Sequence, residues 1–246
     1  MQSGGNILEI SKLSAGYKPP ALPCAGKGDI QTILHDISLN IERNEFFGIL
    51  GESGCGKTTL AKAVLGLLPY EGSIVLKGHV QAVFQDPLSS LDPRHTIGFT
   101  VAEPLVVHGK LSKKEREKRV DAILEKVGLD SSYKKRLPAE LSGGQRQRVC
   151  IASALINEPK LLVADEAISS LDVSVGAQIL NLFRDLHEQM EFAMMFISHN
   201  IDVVYYLCSR IAVMQKGWIV EMGNVEEVYA HPKDDYTRQL FASGGS

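Results

Sequence analysis

The chain has 246 residues, 44% of them hydrophobic and 22% charged, and a formal net charge of -3; this balance fits a globular protein with room for a sizeable core and speaks against a nucleic-acid binder, which would be basic. Its four cysteines, Cys24, Cys55, Cys150 and Cys208, are scattered and form no CxxC pair, which speaks against a disulfide framework or zinc site and fits a reducing compartment. The start, "MQSGGNILEI", lacks the blocks of a signal peptide, and no apolar run approaches the ~18 residues that span a bilayer, so a soluble chain is expected, one that can still sit on something embedded in a membrane.

To about Gln85 the chain reads as short strands and turns. "LSAGY" ends at Tyr17, and the Pro and Gly content of "KPPALPCAGKGDIQ", Lys18 to Gln31, indicates a loop. "FFGIL", Phe46 to Leu50, reads as a buried strand, and "TLAKAVLGLL", Thr59 to Leu68, as a helix. Between them "GESGCGKTT" fits G-x-x-x-x-G-K-[ST] at every fixed position. Glycines let a backbone wrap closely around phosphates, and a helix N-terminus adds a favourable dipole. In that setting Lys57 would reach the β- and γ-phosphates, and Thr58 would hold Mg²⁺. Cys55 reads as a small filler, although a helix N-terminus can lower a thiol's pKa.

Helices dominate from Asp86 to about Asn157. "LSKKEREKRVDAILEKVG" has a capping box from Ser112 to Glu115, places Val120, Ile123, Leu124 and Val127 on one face, and stops at Gly128. In "LSGGQRQRV" Ser142 is a good N-cap, and Gly143 and Gly144 would let bare backbone N–H groups approach an anion; the same residues also fit a plain capped helix start. "KLLVADEA" is apolar from Leu161 to Ala164 and then gives Asp165 and Glu166 at a strand end, where ligands of parallel α/β sheets bind. Asp165 would support the Mg²⁺ shell and Glu166 would orient and deprotonate an attacking water; a solvated acidic turn is the other reading. A helix then carries Val175, Ile179, Leu182, Phe183 and Leu186 on one stripe, and "FAMMFI" reads as a strand ahead of His199. "IAVMQKGWIVEMG" reads as a hairpin turning at Lys216-Gly217.

Together these motifs resemble the ATP-binding cassette (ABC) ATPases along nearly the whole chain. "LSGGQ", Leu141 to Gln145, is identical to that family's signature motif, and the motif order agrees. The resemblance implies a P-loop NTPase (RecA-like) α/β fold with an antiparallel β subdomain and an inserted α-helical subdomain. As a single domain over 1–246, it would have its core in 1–86 and 158–246 and its helical part in 87–157. It also implies ATP contacts from Gly51, Glu52, Ser53, Gly54, Cys55, Gly56, Lys57, Thr58 and Thr59. Gln85 in "VFQDP" matches the Q-loop, with a contact to Mg²⁺ and water, and His199 in "FISHN" the switch histidine. Tyr17 looks like the aromatic that stacks on adenine. Glu166, His199, Gln85 and Lys57 would be catalytic, with Mg²⁺ at Thr58, Gln85 and Asp165.

In that family two cassettes pair head to tail, so Ser142, Gly143, Gly144, Gln145 and, in the "SSLD" D-loop, Asp172 would act in trans on the partner's ATP. "FQDPLSSLDPR", Phe84 to Arg94, and "HPKDDYTRQLF", His231 to Phe241, resemble the peptide/nickel importers. The implied function is ATP hydrolysis coupled to uptake of a peptide, nickel or another metal chelate. The implied partners are a second ATPase chain, identical or homologous, two transmembrane permease subunits and, indirectly, an extracytoplasmic binding protein, with the chain peripheral on the cytoplasmic face of the inner membrane. The alternative is a soluble ABC ATPase of translation or DNA repair; the paired cassettes or coiled-coil insertions usual there are not seen. Three departures stand out: Ala167 and Ile168 where Pro and Thr are usual, a shortened Gly72–Gln85 segment, and a longer loop after Tyr17.

Overall fold

The computed structural model describes residues 5–17, 31–107 and 111–244. The Lys18 to Gln31 loop therefore lies outside the described residues up to position 30. The chain divides into two compact units, Met1–Gly78 with Ala193–Ser246, and His79–Phe192.

The first unit opens with β1 (Asn6–Tyr17), β2 (Gln31–Glu42), β3 (Phe46–Leu50), α1 (Lys57–Val64) and β4 (Tyr70–Leu76). β1 pairs antiparallel with both β2 and β4, giving a three-stranded sheet in the order β2-β1-β4. Two of the expected short strands, β1 and β2, in fact run to twelve residues each. Register shifts interrupt them, and Lys12 and Asp36 take left-handed backbones with φ of 49° each, so the alternation that marks a long strand is broken in the sequence. β3 is buried at all five positions, as a parallel strand covered on both faces must be. The helix expected over Thr59 to Leu68 ends earlier, at Val64. Gly66 turns left-handed (φ 71°), its N–H reaching the Ala63 carbonyl and the Leu67 N–H that of Lys62, which leaves Leu67 exposed.

The second unit runs β5 (Val80–Phe84), α2 (Pro87–Ser90), α3 (Ile97–Val107), α4 (Lys113–Lys126), α5 (Gly143–Leu155), β6 (Leu161–Asp165) and α6 (Val173–Met190). β5 and β6 are parallel neighbours. α4 carries the anticipated capping box at both bonds, buries Val120, Ile123 and Leu124, and is followed by Gly128 at φ 74°. α6 buries Ile179, Leu182, Phe183 and Leu186, with Val175 half-buried at its first turn.

The first unit then resumes with β7 (Ala193–Ser198), α7 (Ile201–Leu207), β8 (Arg210–Gln215), β9 (Trp218–Asn224), α8 (Val225–Ala230) and α9 (Asp235–Gly244). β3 lies between β7 and β8, parallel to both, and β9 returns antiparallel along β8. α7 packs so closely on β3 that a Cβ on Gly48 would sit 2.5 Å from Val204 Cγ1. At the β8–β9 hairpin both central residues are left-handed, Lys216 at φ 47° and Gly217 at φ 84°, the turn whose twist matches the strands. Gly217 is bound on both sides: its N–H donates to the Cys55 carbonyl at 2.8 Å, and its carbonyl accepts from His35 N–H at 2.9 Å.

A Cβ on Gly217 would fall 1.8 Å from the Ile33 carbonyl oxygen, in a backbone conformation that L side chains avoid. Gly217→Ala is expected to destabilise the chain by about 1–3 kcal/mol, read as a lower urea midpoint; an unchanged midpoint would show that the turn relaxes at no cost.

Candidate functional site

The glycine loop sits between the end of β3 and the start of α1. Gly54 and Gly56 are left-handed at φ 82° and 113°, and a Cβ on Gly51 would meet the Met214 carbonyl oxygen at 2.4 Å. These glycines are demanded by the backbone itself. Gly56 caps α1 without any side-chain bond, and the first turn holds no acidic residue, so the amides there present a bare donor surface. Lys57 is 5% exposed; its ammonium donates to the Gly51 carbonyl at 2.6 Å and the Glu52 carbonyl at 2.9 Å. The cation thus lies folded across the loop, which concentrates positive potential where an anion would enter. Thr58 is exposed in the first turn of α1, and Thr59 is buried.

β3 and β7 pair through Leu50 and Ser198, so the glycine loop and His199 leave the same edge of two neighbouring parallel strands. His199 is exposed, and Asn200 after it caps α7 by accepting from the Asp202 and Val203 amides. Tyr17, the last residue of β1, is 40% exposed, with the Lys62 ammonium 5.6 Å from its ring centre.

The second unit repeats the pattern. Phe84 pairs with Asp165, so Gln85 and Glu166 leave one edge of β5 and β6. Asp165 is buried, at 5% exposure, whereas Gln85 is exposed. Glu166 is half-buried and left-handed at φ 50°, a conformation that costs a non-glycine residue energy and turns the chain sharply at the strand end. Two bonds to the Glu166 carbonyl, from Ser169 N–H at 3.1 Å and Ser169 Oγ at 3.0 Å, hold that turn, and Ser170 Oγ donates to the Gln85 carbonyl at 3.1 Å.

At the start of α5, Ser142 Oγ accepts from Gln145 N–H at 3.3 Å, and Gln145 Oε1 accepts from Ser142 N–H at 3.0 Å. Gln145 Nε2 also donates to Tyr133 Oη at 2.9 Å, so its amide is engaged within its own chain. The two glycines differ. A Cβ on Gly144 would collide with Val175 Cγ1 at 2.5 Å, while one on Gly143 would meet only Leu171 at 3.6 Å. Packing against α6 therefore accounts for Gly144, and among the described residues no close contact demands Gly143. Asp172 has a local task too, accepting from Val175 N–H at 2.9 Å as the cap of α6.

Sequence reasoning missed two groups at the loop. One is the Gly217 amide on Cys55; the other is Tyr236 Oη, which accepts from Glu52 N–H at 3.2 Å. Their contacts span 162 and 184 residues, so no local pattern could reveal them, although the Tyr-Thr motif itself was visible. Among the described residues no three His, Cys, Asp or Glu side chains gather into a metal cage. Thr58 in the first unit and Asp165 in the second each carry a hard oxygen, the donor type that suits a small hard cation.

Comparison with known proteins settles the family. The family described as "ABC transporter" matches residues 34–169. The chain belongs to the ABC transporter family. Over 225 residues it is 46% identical to the "Putative peptide import ATP-binding protein" BAB2_1053 of Brucella abortus, covering 84% of this chain and 67% of that protein. It is 44% identical over 224 residues to the glutathione import ATP-binding protein GsiA of Pectobacterium atrosepticum, covering 84% of this chain but 36% of that longer protein. The fold is similar to the solved ATP-binding cassette MJ0796, a dimer in a post-hydrolysis state bound to ADP and Pi, with a TM-score of 0.76 and 28% identity, covering 89% of this chain and 98% of that one. These findings bear out the expected P-loop NTPase fold of this ABC cassette. Among the described residues no helix is long and apolar enough to cross a membrane.

Cys55 behaves as a filler: it is buried, and burial raises its thiol pKa more than the neighbouring Lys57 charge lowers it. Burial likewise pushes Cys150 up to about 12. In a Cys24→Ser chain at pH 8, the native thiols are expected to react with a disulfide reagent at least about tenfold more slowly than in guanidinium, because the thiolate is the attacking form. One fast native thiol would contradict the burial of Cys55.

Proposed function

We propose that the chain is the ATP-hydrolysing subunit of an ABC importer that takes up peptides. The observation that carries this reading is the glycine loop with its folded lysine, in a chain that belongs to the ABC family. The names of the Brucella and Pectobacterium relatives favour a peptide cargo, glutathione being itself a small peptide; nickel and other metal chelates, which the C-terminal motif also allows, are not named by these relatives. The same relatives are import proteins, which favours transport over a soluble role in translation or repair.

In this proposal residues 1–86 and 158–246 form the nucleotide-binding core and 87–157 its helical subdomain. The loop amides from Gly51 to Thr59 hold the phosphates, and the Lys57 ammonium swings from its carbonyls to the β- and γ-phosphates. Tyr17 stacks on adenine. Thr58, Asp165 and Gln85 would hold Mg²⁺, whose charge would offset that of the phosphates. Glu166 orients and deprotonates the attacking water, held in place by the tight turn around its carbonyl, and His199 contacts the γ-phosphate. A second cassette, identical or homologous, closes head to tail over the site with its Ser142, Gly143, Gly144, Gln145 and Asp172. Gly143, which packing leaves open, would then be the residue whose bareness serves the partner's nucleotide. ATP makes contacts across that interface that ADP loses, and this difference in affinity drives closing and reopening. Two permease subunits take up that motion at the cytoplasmic face of the membrane, and a binding protein outside delivers the cargo.

Glu166→Gln is expected to retain ATP binding and to lower turnover by ~10²–10⁴-fold, the scale of a lost general base; near-normal turnover would remove Glu166 from that role. Ser142→Arg is expected to abolish hydrolysis while leaving nucleotide binding by the single chain within about twofold, since the serine would act on the partner's ATP. If binding itself collapsed, the serine would be a fold element only.

A further inference from the structure

The C-terminal segment approaches the glycine loop at two points, one on each side of Ser53 and Gly54. Gly217 N–H donates to the Cys55 carbonyl at 2.8 Å, and Tyr236 Oη accepts from Glu52 N–H at 3.2 Å. The Glu52 N–H shares its peptide group with the Gly51 carbonyl, which receives the Lys57 ammonium at 2.6 Å, so one peptide group separates the tyrosine from the loop's cation.

Tyr236 is itself held by a series of hydrogen bonds. Glu221 on β9 accepts from Lys233 N–H at 2.9 Å through one oxygen and from Asp234 N–H at 3.1 Å through the other. Asp234 Oδ1 in turn accepts from Tyr236 N–H at 2.8 Å, which fixes the first turn of α9. Thr237 beside it is fully buried, and Phe241 farther along α9 packs on Tyr229 with ring centres 5.8 Å apart. A relay of carboxylates thus runs from β9 through the 233–234 turn to one phenol aimed at the loop.

We infer that Tyr236 is a positioning residue for nucleotide binding: its hydroxyl holds the Glu52 peptide so that the loop amides and Lys57 keep the spacing an incoming triphosphate needs. The His-Pro…Tyr-Thr segment is then a brace for the glycine loop. This rests on the reading of that loop as the ATP site.

The test uses the full chain and ATP with Mg²⁺. Removing one neutral hydrogen bond through Tyr236→Phe is expected to weaken ATP binding about threefold to tenfold while the melting temperature stays within a few degrees. Glu221→Gln, which loosens the turn that carries the tyrosine, is expected to weaken it by a smaller factor. The double variant should bind about as well as Tyr236→Phe alone, because both changes act through one contact. An unchanged dissociation constant in Tyr236→Phe would overturn the inference, as would simple multiplication of the two effects. If the loss came with a large fall in melting temperature, a chain equally destabilised elsewhere, by Phe183→Leu, would lose ATP to the same extent, and the tyrosine would have no specific role. A wild-type chain that binds no ATP would be a separate failure, that of the ATP-site reading itself.

Discussion

A primary ammonium buried in a loop of backbone carbonyls governs the architecture of this protein. Lys57 is almost wholly shielded, yet its partners are the neutral carbonyls of Gly51 and Glu52 rather than a carboxylate. A buried cation without a counter-ion is tolerated only where hydrogen bonds replace its hydration. The loop meets that need and no more, so the positive field stays available to an anionic ligand. The left-handed glycines, the bare cap of α1 and the buried strand β3 all serve to hold the loop in the one shape that does this.

The elements that were legible in the sequence are those encoded within about a dozen residues. FFGIL as a doubly covered strand, the glycine loop, the Ser112–Glu115 box, the acids after LLVA and the Lys216-Gly217 turn each carry their physical reason locally. What was not legible came from backbone turns and bulges that the residue pattern does not announce. α1 stops at Val64 because Gly66 adopts a left-handed turn, although the apolar run continues through Leu67 and Leu68. β1 and β2 are long but bulged, and the bulges erased the period-two pattern. The left-handed Glu166 has no marker at all, since glutamate is not a residue that sequence rules send to that region.

The stretch LSGGQ shows how one motif can answer two demands. Ser142 and Gln145 close a capping box, Gly144 makes room for Val175, and Gln145 reaches Tyr133. Four of the five residues, counting the buried Leu141, therefore have tasks inside their own chain, and Gly143 stands apart. Asp172 shows the same double use, as the cap of α6 at the tip of the SSLD turn. Residues proposed to act across an interface are thus fixed first by their own helices, which would give such an interface a rigid edge rather than a mobile one.

The hairpin after β8 has a practical corollary. Trp218, which follows Gly217, is the single tryptophan of the chain, and its ring stacks on His35 with centres 5.1 Å apart and planes 19° from parallel. Because the Gly217 amide is tied to Cys55, the indole is carried one residue from the group that supports the glycine loop. Nature has thereby installed an intrinsic fluorophore beside the loop, whose emission can follow the loop's environment without any label.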